Sequence, residues 1–202
     1  MFTDNHFEDT VGHGLTRVPV DPFEIEREAV IAMLDRERRS LPASLIAISL
    51  LAIGVTMLPN VLPMLVLLAL RTLSFLYTRQ AAARLERIMR ARQPARAAHC
   101  VMIFAMALTG MTLALMLWPQ PEGSSVVAIT LIGGVVVVAL TLIAVTLAAL
   151  PRSRDAMLAS FWLTALAMTI LHPQIQHPEL VGILALIVIG IRIYSASTGE
   201  HI

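Results

Sequence analysis

The stretch VLPMLVLLALRTLSFLYTRQAAARLERIMRARQPARAA, residues 61–98, decides the fold. Its first part, 61–78, carries a single charge, Arg71, whereas its second, 79–98, carries six arginines and one acid. A helix needs roughly 17–25 apolar residues to cross about 30 Å of hydrocarbon. In lipid every backbone N–H and C=O must bond within its own segment, so such a run is a helix. The switch from apolar to arginine-rich marks a membrane surface, and arginine-rich connections lie on the cytoplasmic side. The linker 79–98 keeps helical character until Gln93-Pro94, which predicts one helix leaving the bilayer and continuing beyond it.

Working outward, five more runs repeat the apolar pattern: 41–58, 100–118, 126–150, 156–171 and 180–194. With 61–78 they give an expected all-α polytopic membrane protein, its six-helix transmembrane domain (41–194) arranged as three hairpins. The last two runs are short and need flanking residues or local thinning of the bilayer. No alternating pattern suggests a barrel. Composition agrees: 57% of the 202 residues are hydrophobic and 14% charged, against about 25% charged in soluble domains. All fifteen basic residues are arginine. The net charge of +1 offers no basic field for nucleic acid, and a lone cysteine, Cys100, excludes an internal disulfide.

The arginines set an expected orientation. Arg79, Arg84, Arg87, Arg90, Arg92 and Arg96 follow the second run, Arg152 and Arg154 follow the fourth, and five precede the first. Pro59-Asn60, 119–125 and 172–178 contain none. Alternate connections are therefore basic, which predicts cytoplasmic N- and C-termini and an inner (plasma) membrane location. Trp118 then marks an outer boundary, Tyr77 and Tyr194 mark inner ones, and Trp162 reads as packing.

Residues 1–40 hold nine acids and five arginines, unlike the basic start of a signal peptide. The first twenty are expected to lack fixed structure. Asp21-Pro22-Phe23-Glu24 then reads as a capped helix start. Phe23, Val30, Met33 and Leu34 make an apolar stripe, so 21–39 is expected to be an amphipathic helix. It is either a partner for the basic linker or a solvated lead-in to the first span. Residues 195–202 read as a polar cytoplasmic tail.

Few residues could carry chemistry. Arg71 lies about 15 Å into its span, at 1.5 Å per residue. A charge at that depth costs at least about 2.5–3.5 kcal/mol and is normally paired, in a cavity or snorkelling. Two readings follow: snorkelling toward headgroups, or an internal polar contact, with Thr109 or Thr112 as partners. Arg71, Arg84, Arg87 and Arg90 are the candidates for coupling helix positions. His172, His177 and Glu179 flank a turn and are the one candidate metal or pH-sensing group, although polar residues are ordinary there. Gly54, Gly110, Gly133, Gly134, Gly182 and Gly190 read as close-approach points between helices. The methionines read as packing. There is no His-Glu-x-x-His, no Gly-x-Ser-x-Gly, no phosphate loop and no pair of intramembrane acids. No enzyme activity, cofactor or resident metal is therefore expected.

The layout resembles the six-helix N-terminal membrane modules of bacterial signalling proteins such as diguanylate cyclases, phosphodiesterases and hybrid sensor histidine kinases. The resemblance covers about residues 27–195. It rests on the tight hairpin from Met57 to Pro63, the arginine-rich helical linker, and the third run ending Gly110-Met111-Thr112-Leu113-Ala114-Leu115-Met116-Leu117-Trp118-Pro119. The short turn Pro151-Arg152-Ser153-Arg154 and a final hairpin complete it. None of these residues is a family signature, so no site is carried over. The resemblance implies a non-catalytic input or scaffold module that relays changes in helix packing. Its implied partners are the lipid bilayer, a second copy of the chain (a homodimer), and a cytoplasmic signalling partner or missing output domain. The sequence contains no Gly-Gly-Asp-Glu-Phe, phosphoacceptor or ATP-binding motif of such a domain. The alternative expectation is a small permease or an accessory subunit of a transport or secretion complex.

Overall fold

The computed structural model describes residues 22–118, 123–171 and 178–199. These form seven α-helices: α1 (Pro22–Arg39), α2 (Leu41–Thr56), α3 (Val61–Arg90), α4 (Arg96–Leu115), α5 (Val126–Thr146), α6 (Pro151–Leu171) and α7 (Pro178–Gly199). A 3₁₀ turn, Leu147–Ala149, joins α5 to α6, and there is no strand among the described residues. Helices α3, α4, α6 and α5 with its 3₁₀ extension are each long and apolar enough to cross a membrane. A fifth candidate arises if α1 and α2 are taken as one bent span. The apolar part of α7, Gly182–Ser195, is shorter. The chain is thus all-helical with four to five candidate spans.

Helix starts track prolines rather than the edges of apolar runs. Pro151 and Pro178 are the first residues of α6 and α7, where a missing N–H costs nothing. Consequently α6 begins five residues before the run at 156. Pro42 separates α1 from α2 by a 49° bend, because its ring cannot accommodate the carbonyl four residues back. Helix α1 carries five acids and four arginines, whereas α2 carries no charge.

Helix α3 runs unbroken through the apolar-to-basic switch for 30 residues, about 45 Å at 1.5 Å per residue. It ends in a Schellman motif: Gln93 N–H bonds the Ile88 carbonyl and Arg92 N–H that of Met89. The position that usually takes glycine is held by Arg92, at φ 54°.

Helices α2, α3, α4 and α5 form a ring in which neighbours pack in that order and α5 returns to α2. Across the ring, α2 does not approach α4, nor α3 approach α5, to within 8 Å between Cα atoms. Helix α1 lies over one end, against α3, α2, α5 and the 3₁₀ turn. Outside the ring, α6 packs most intimately on α4, and α7 packs on α6 and α5.

Two glycines set helix distances. A Cβ on Gly110 would fall on the Met157 carbonyl of α6, and one on Gly54 would lie 2.8 Å from Ile132 Cγ1 of α5. At Gly133, Gly134, Gly182 and Gly190 an added Cβ meets nothing within 4 Å, so the close-approach reading is corrected there. Ser160 Oγ, beside Gly110, lies 2.7 Å from the Ala107 carbonyl and 3.0 Å from that of Met157. It ties α6 to α4 beside that close approach.

Candidate functional site

The helix ring encloses a cavity of about 200 Å³. Helical spacing selects what faces it from α3. Arg71, Ser74 and Thr78 fall at i, i+3 and i+7 and share one face; all three are buried, Arg71 at 6% exposure. Arg71 and Thr78 line the cavity together with Thr109 of α4, Ile48 and Leu51 of α2, and Ile143 of α5.

The hydroxyls in this layer satisfy one another. Thr78 Oγ1 and Thr109 Oγ1 are 2.9 Å apart, and Ser74 Oγ is 3.4 Å from Thr109 Oγ1. Thr112 Oγ1 donates to the Thr109 carbonyl at 3.1 Å. The structure therefore brings Arg71 and Thr109 to one cavity but does not pair them. Arg71 Nη1 is buried without a hydrogen-bond partner. Nor does the side chain escape outward, as snorkelling requires; it stays inside the ring.

Glu37 and Arg79 line the same cavity from α1 and the later part of α3. Burial pushes the Glu37 carboxyl up to about 7, with Arg79 pulling it down and Glu86 pushing it up. Arg79 also sits 5.8 Å from the Phe75 ring centroid, a cation–π distance. Glu37 was not among the candidates from sequence, yet a signal was present. It stands seven residues after Val30, four after Met33 and three after Leu34, so it continues the apolar stripe of α1. An acid on a buried stripe is the anomaly to look for.

The other coupling candidates lie elsewhere. Arg84, Arg87 and Arg90 are exposed on α3. Arg90 pairs with Glu86 at 2.6 Å within its own helix, and Arg87 Nε bonds the Ala83 carbonyl at 3.3 Å. Arg84 and Arg87 border a shallow groove with Ile88, Ala91 and Gln93. Among the described residues neither these nor Arg90 ion-pairs with α1. The link between the acidic helix and the basic linker is made by Arg92, whose Nη2 is 3.2 Å from Glu24 Oε1. Val30, Met33 and Leu34 of α1 and Ala81, Ala82, Leu85 and Met89 of α3 are all buried in one core. The apolar stripe is therefore docked rather than solvated.

His172 and His177 and the side chain of Glu179 lie outside the described residues. Among the described residues no cluster of His, Cys, Asp and Glu could hold a metal ion. Cys100 is free and exposed. Asp155 at the start of α6 lies 3.3 Å from Arg192 of α7 and 3.2 Å from Arg154. Trp162 borders the α6–α7 groove, with its indole N–H buried and unpaired.

No family model matches the chain, and no curated protein or solved structure matches it.

Proposed function

We propose that this chain is a non-catalytic membrane input or scaffold module of bacterial signal transduction. It crosses the inner membrane six times, with both termini in the cytoplasm. In that arrangement α2 and α7 are the two short crossings, and α1 with the end of α3 forms the cytoplasmic face. The alternation of arginine-rich and arginine-free connections supports the topology. The observation that carries the relay is the docking of α1 on α3 beyond its apolar part, with the Glu24–Arg92 ion pair at its edge. A shift in the helix ring moves α3, and α3 carries the surface that a cytoplasmic partner, a second copy or an output domain reads. The amphipathic face of α1 couples the two.

Reporter fusions placed after residues 40, 93, 120, 153, 175 and 202 test the topology. The first, second, fourth and last are expected to report cytoplasm, and the others the opposite side. For the relay, a cyclase domain fused after Ile202 is expected to change activity when Met33→Asp releases α1 from α3. Unchanged activity with a demonstrably released α1 overturns the relay. A small permease or accessory transport subunit is the second reading, favoured by the arginine inside the cavity. Anion uptake into proteoliposomes that is lost in Arg71→Gln would establish it instead.

A further inference from the structure

A guanidinium inside a helical bundle persists where something supplies it with acceptors. Among the described residues, the hydroxyls on the Arg71 face of α3 and on the facing α4 are engaged elsewhere. Thr78, Thr109 and Ser74 bond among themselves, and Thr112 bonds its own helix. Glu37 lies under the influence of Arg79 and Glu86 and makes no ion pair with Arg71 among the described residues. At the α1 end of the cavity, Arg79 lies within electrostatic reach of Glu37 and 5.8 Å from the Phe75 ring centroid. Arg71 is the cavity's buried guanidinium, 6% exposed, with Nη1 unpaired at the wall.

The rest of the wall dictates what accompanies an anion there. Ile48, Leu51, Phe75, Met106, Ile143 and Leu147 supply an apolar surface. A small hydrated anion would lose its water against these side chains and regain only one guanidinium. A chain attached to the anion would be stabilised by the same side chains. The planar fork of arginine matches a carboxylate or a phosphate. A volume of about 200 Å³ is below the roughly 300–1,000 Å³ of pockets that enclose a drug-sized ligand. It holds a headgroup and the first carbons of a chain. Leu142 lines the cavity and is also more than half exposed on α5, so the remaining chain can leave there.

We propose that the helix ring binds a single-chain anionic amphiphile drawn from the bilayer, with its carboxylate or phosphate on Arg71 and its chain against α2 and α5. This names the input of the proposed module and rests on that reading only for the role of the site. Binding is measured without any partner, so its failure and the failure of the relay are told apart.

The test uses the full chain in phosphatidylcholine nanodiscs at pH 8. Dodecanoate, dodecyl phosphate, dodecanol, acetate and inorganic phosphate are the probes, scored by titration calorimetry and by thermal stabilisation. Both charged amphiphiles are expected to bind, and Arg71→Gln to weaken them at least tenfold. Arg71→Lys is expected to weaken them less. Ile143→Trp, which narrows the apolar part and leaves Arg71 in place, is also expected to weaken them. Dodecanol binding as tightly as dodecanoate overturns the role of Arg71. Inorganic phosphate binding as tightly as dodecyl phosphate overturns the bilayer source in favour of a free anion. Should Arg71→Gln fail to fold, undiminished binding by Ile143→Trp overturns the proposal on its own.

Discussion

Arg92, just past the end of α3, pairs with Glu24 of helix α1 at 3.2 Å from a backbone held at φ 54°. A left-handed conformation costs an ordinary residue about 1–2 kcal/mol relative to glycine. The ion pair is partly exposed, with side chains 69% and 32% accessible, and exposed pairs contribute about 0.2–1 kcal/mol. Backbone cost and side-chain gain therefore oppose each other at one residue. Arg92→Gly is expected to leave global stability unchanged or slightly raised, while hydrogen exchange in the first turns of α1 speeds up. Glu24→Arg should speed the same exchange, and adding Arg92→Glu should restore it. Unaltered exchange in all three variants would show that the pair does not hold α1.

Apolar burial should hold α1 far more strongly than that pair. Met33 and Leu34 are 3% and 4% exposed, and truncating such residues to alanine costs about 2–5 kcal/mol. Leu34→Ala is expected to expose α1 to limited proteolysis while α4 and α6 stay protected. Simultaneous loss of protection in α4 would mean that α1 and the bundle unfold as one unit.

Gly110 is expected to reject any side chain. In a free helix Gly→Ala stabilises by about 1 kcal/mol. Here the methyl would meet the Met157 carbonyl, and a backbone atom cannot swing aside. Overpacking costs about 1–3 kcal/mol or more, so Gly110→Ala should lower the thermal midpoint, while Gly133→Ala, with nothing in the way, should raise it or leave it unchanged. Equal midpoints for the two variants would disprove the close approach.

Glu37 predicts a pH dependence whose sign follows from its environment. Its ordinary value of 4.5 rises to about 7 in the folded chain, so the folded state holds the proton more tightly than the unfolded one. The resulting stabilisation is complete below about pH 4.5 and is lost as pH rises through about 7. Arg79 and Glu86 face the same group and set how far the shift goes. Hydrogen exchange in α1 should therefore be slower relative to the intrinsic rate at pH 5.5 than at pH 8. Glu37→Gln should flatten that dependence. A slope that survives the substitution would assign it to another group.

The fold was largely legible because the signals were physical and redundant. The unbroken α3 across residues 61–90 followed from an apolar run passing into an arginine-rich one with no breaker before Pro94. Gly110 was legible as a small residue in a span, whereas Gly133 looks identical in sequence yet leaves room for a Cβ, because periodicity does not say which neighbour lies opposite. For Arg71 the depth was readable, but its surroundings were not. The cavity around it is completed by α1, α2, α4 and α5, which come together only through tertiary packing. From sequence, α1 reads either as an acidic partner for the basic linker or as a solvated lead-in; among the described residues the arginine that pairs with it is Arg92, in the turn after the helix. Its left-handed backbone could not be read from residue type, since glycine is the expected occupant.

The length of α3 has a mechanical consequence. From Arg71 to Arg90 is nineteen residues of one uninterrupted helix, about 28 Å at 1.5 Å per residue. If the helix pivots as a rigid rod near Arg71, a tilt of about 10° swings its far end by roughly 5 Å, close to one helical turn. Helix α1, seated on that far end, is carried with it. Under such a pivot, a small repacking around one arginine would become a displacement large enough to exchange one set of side-chain contacts for another.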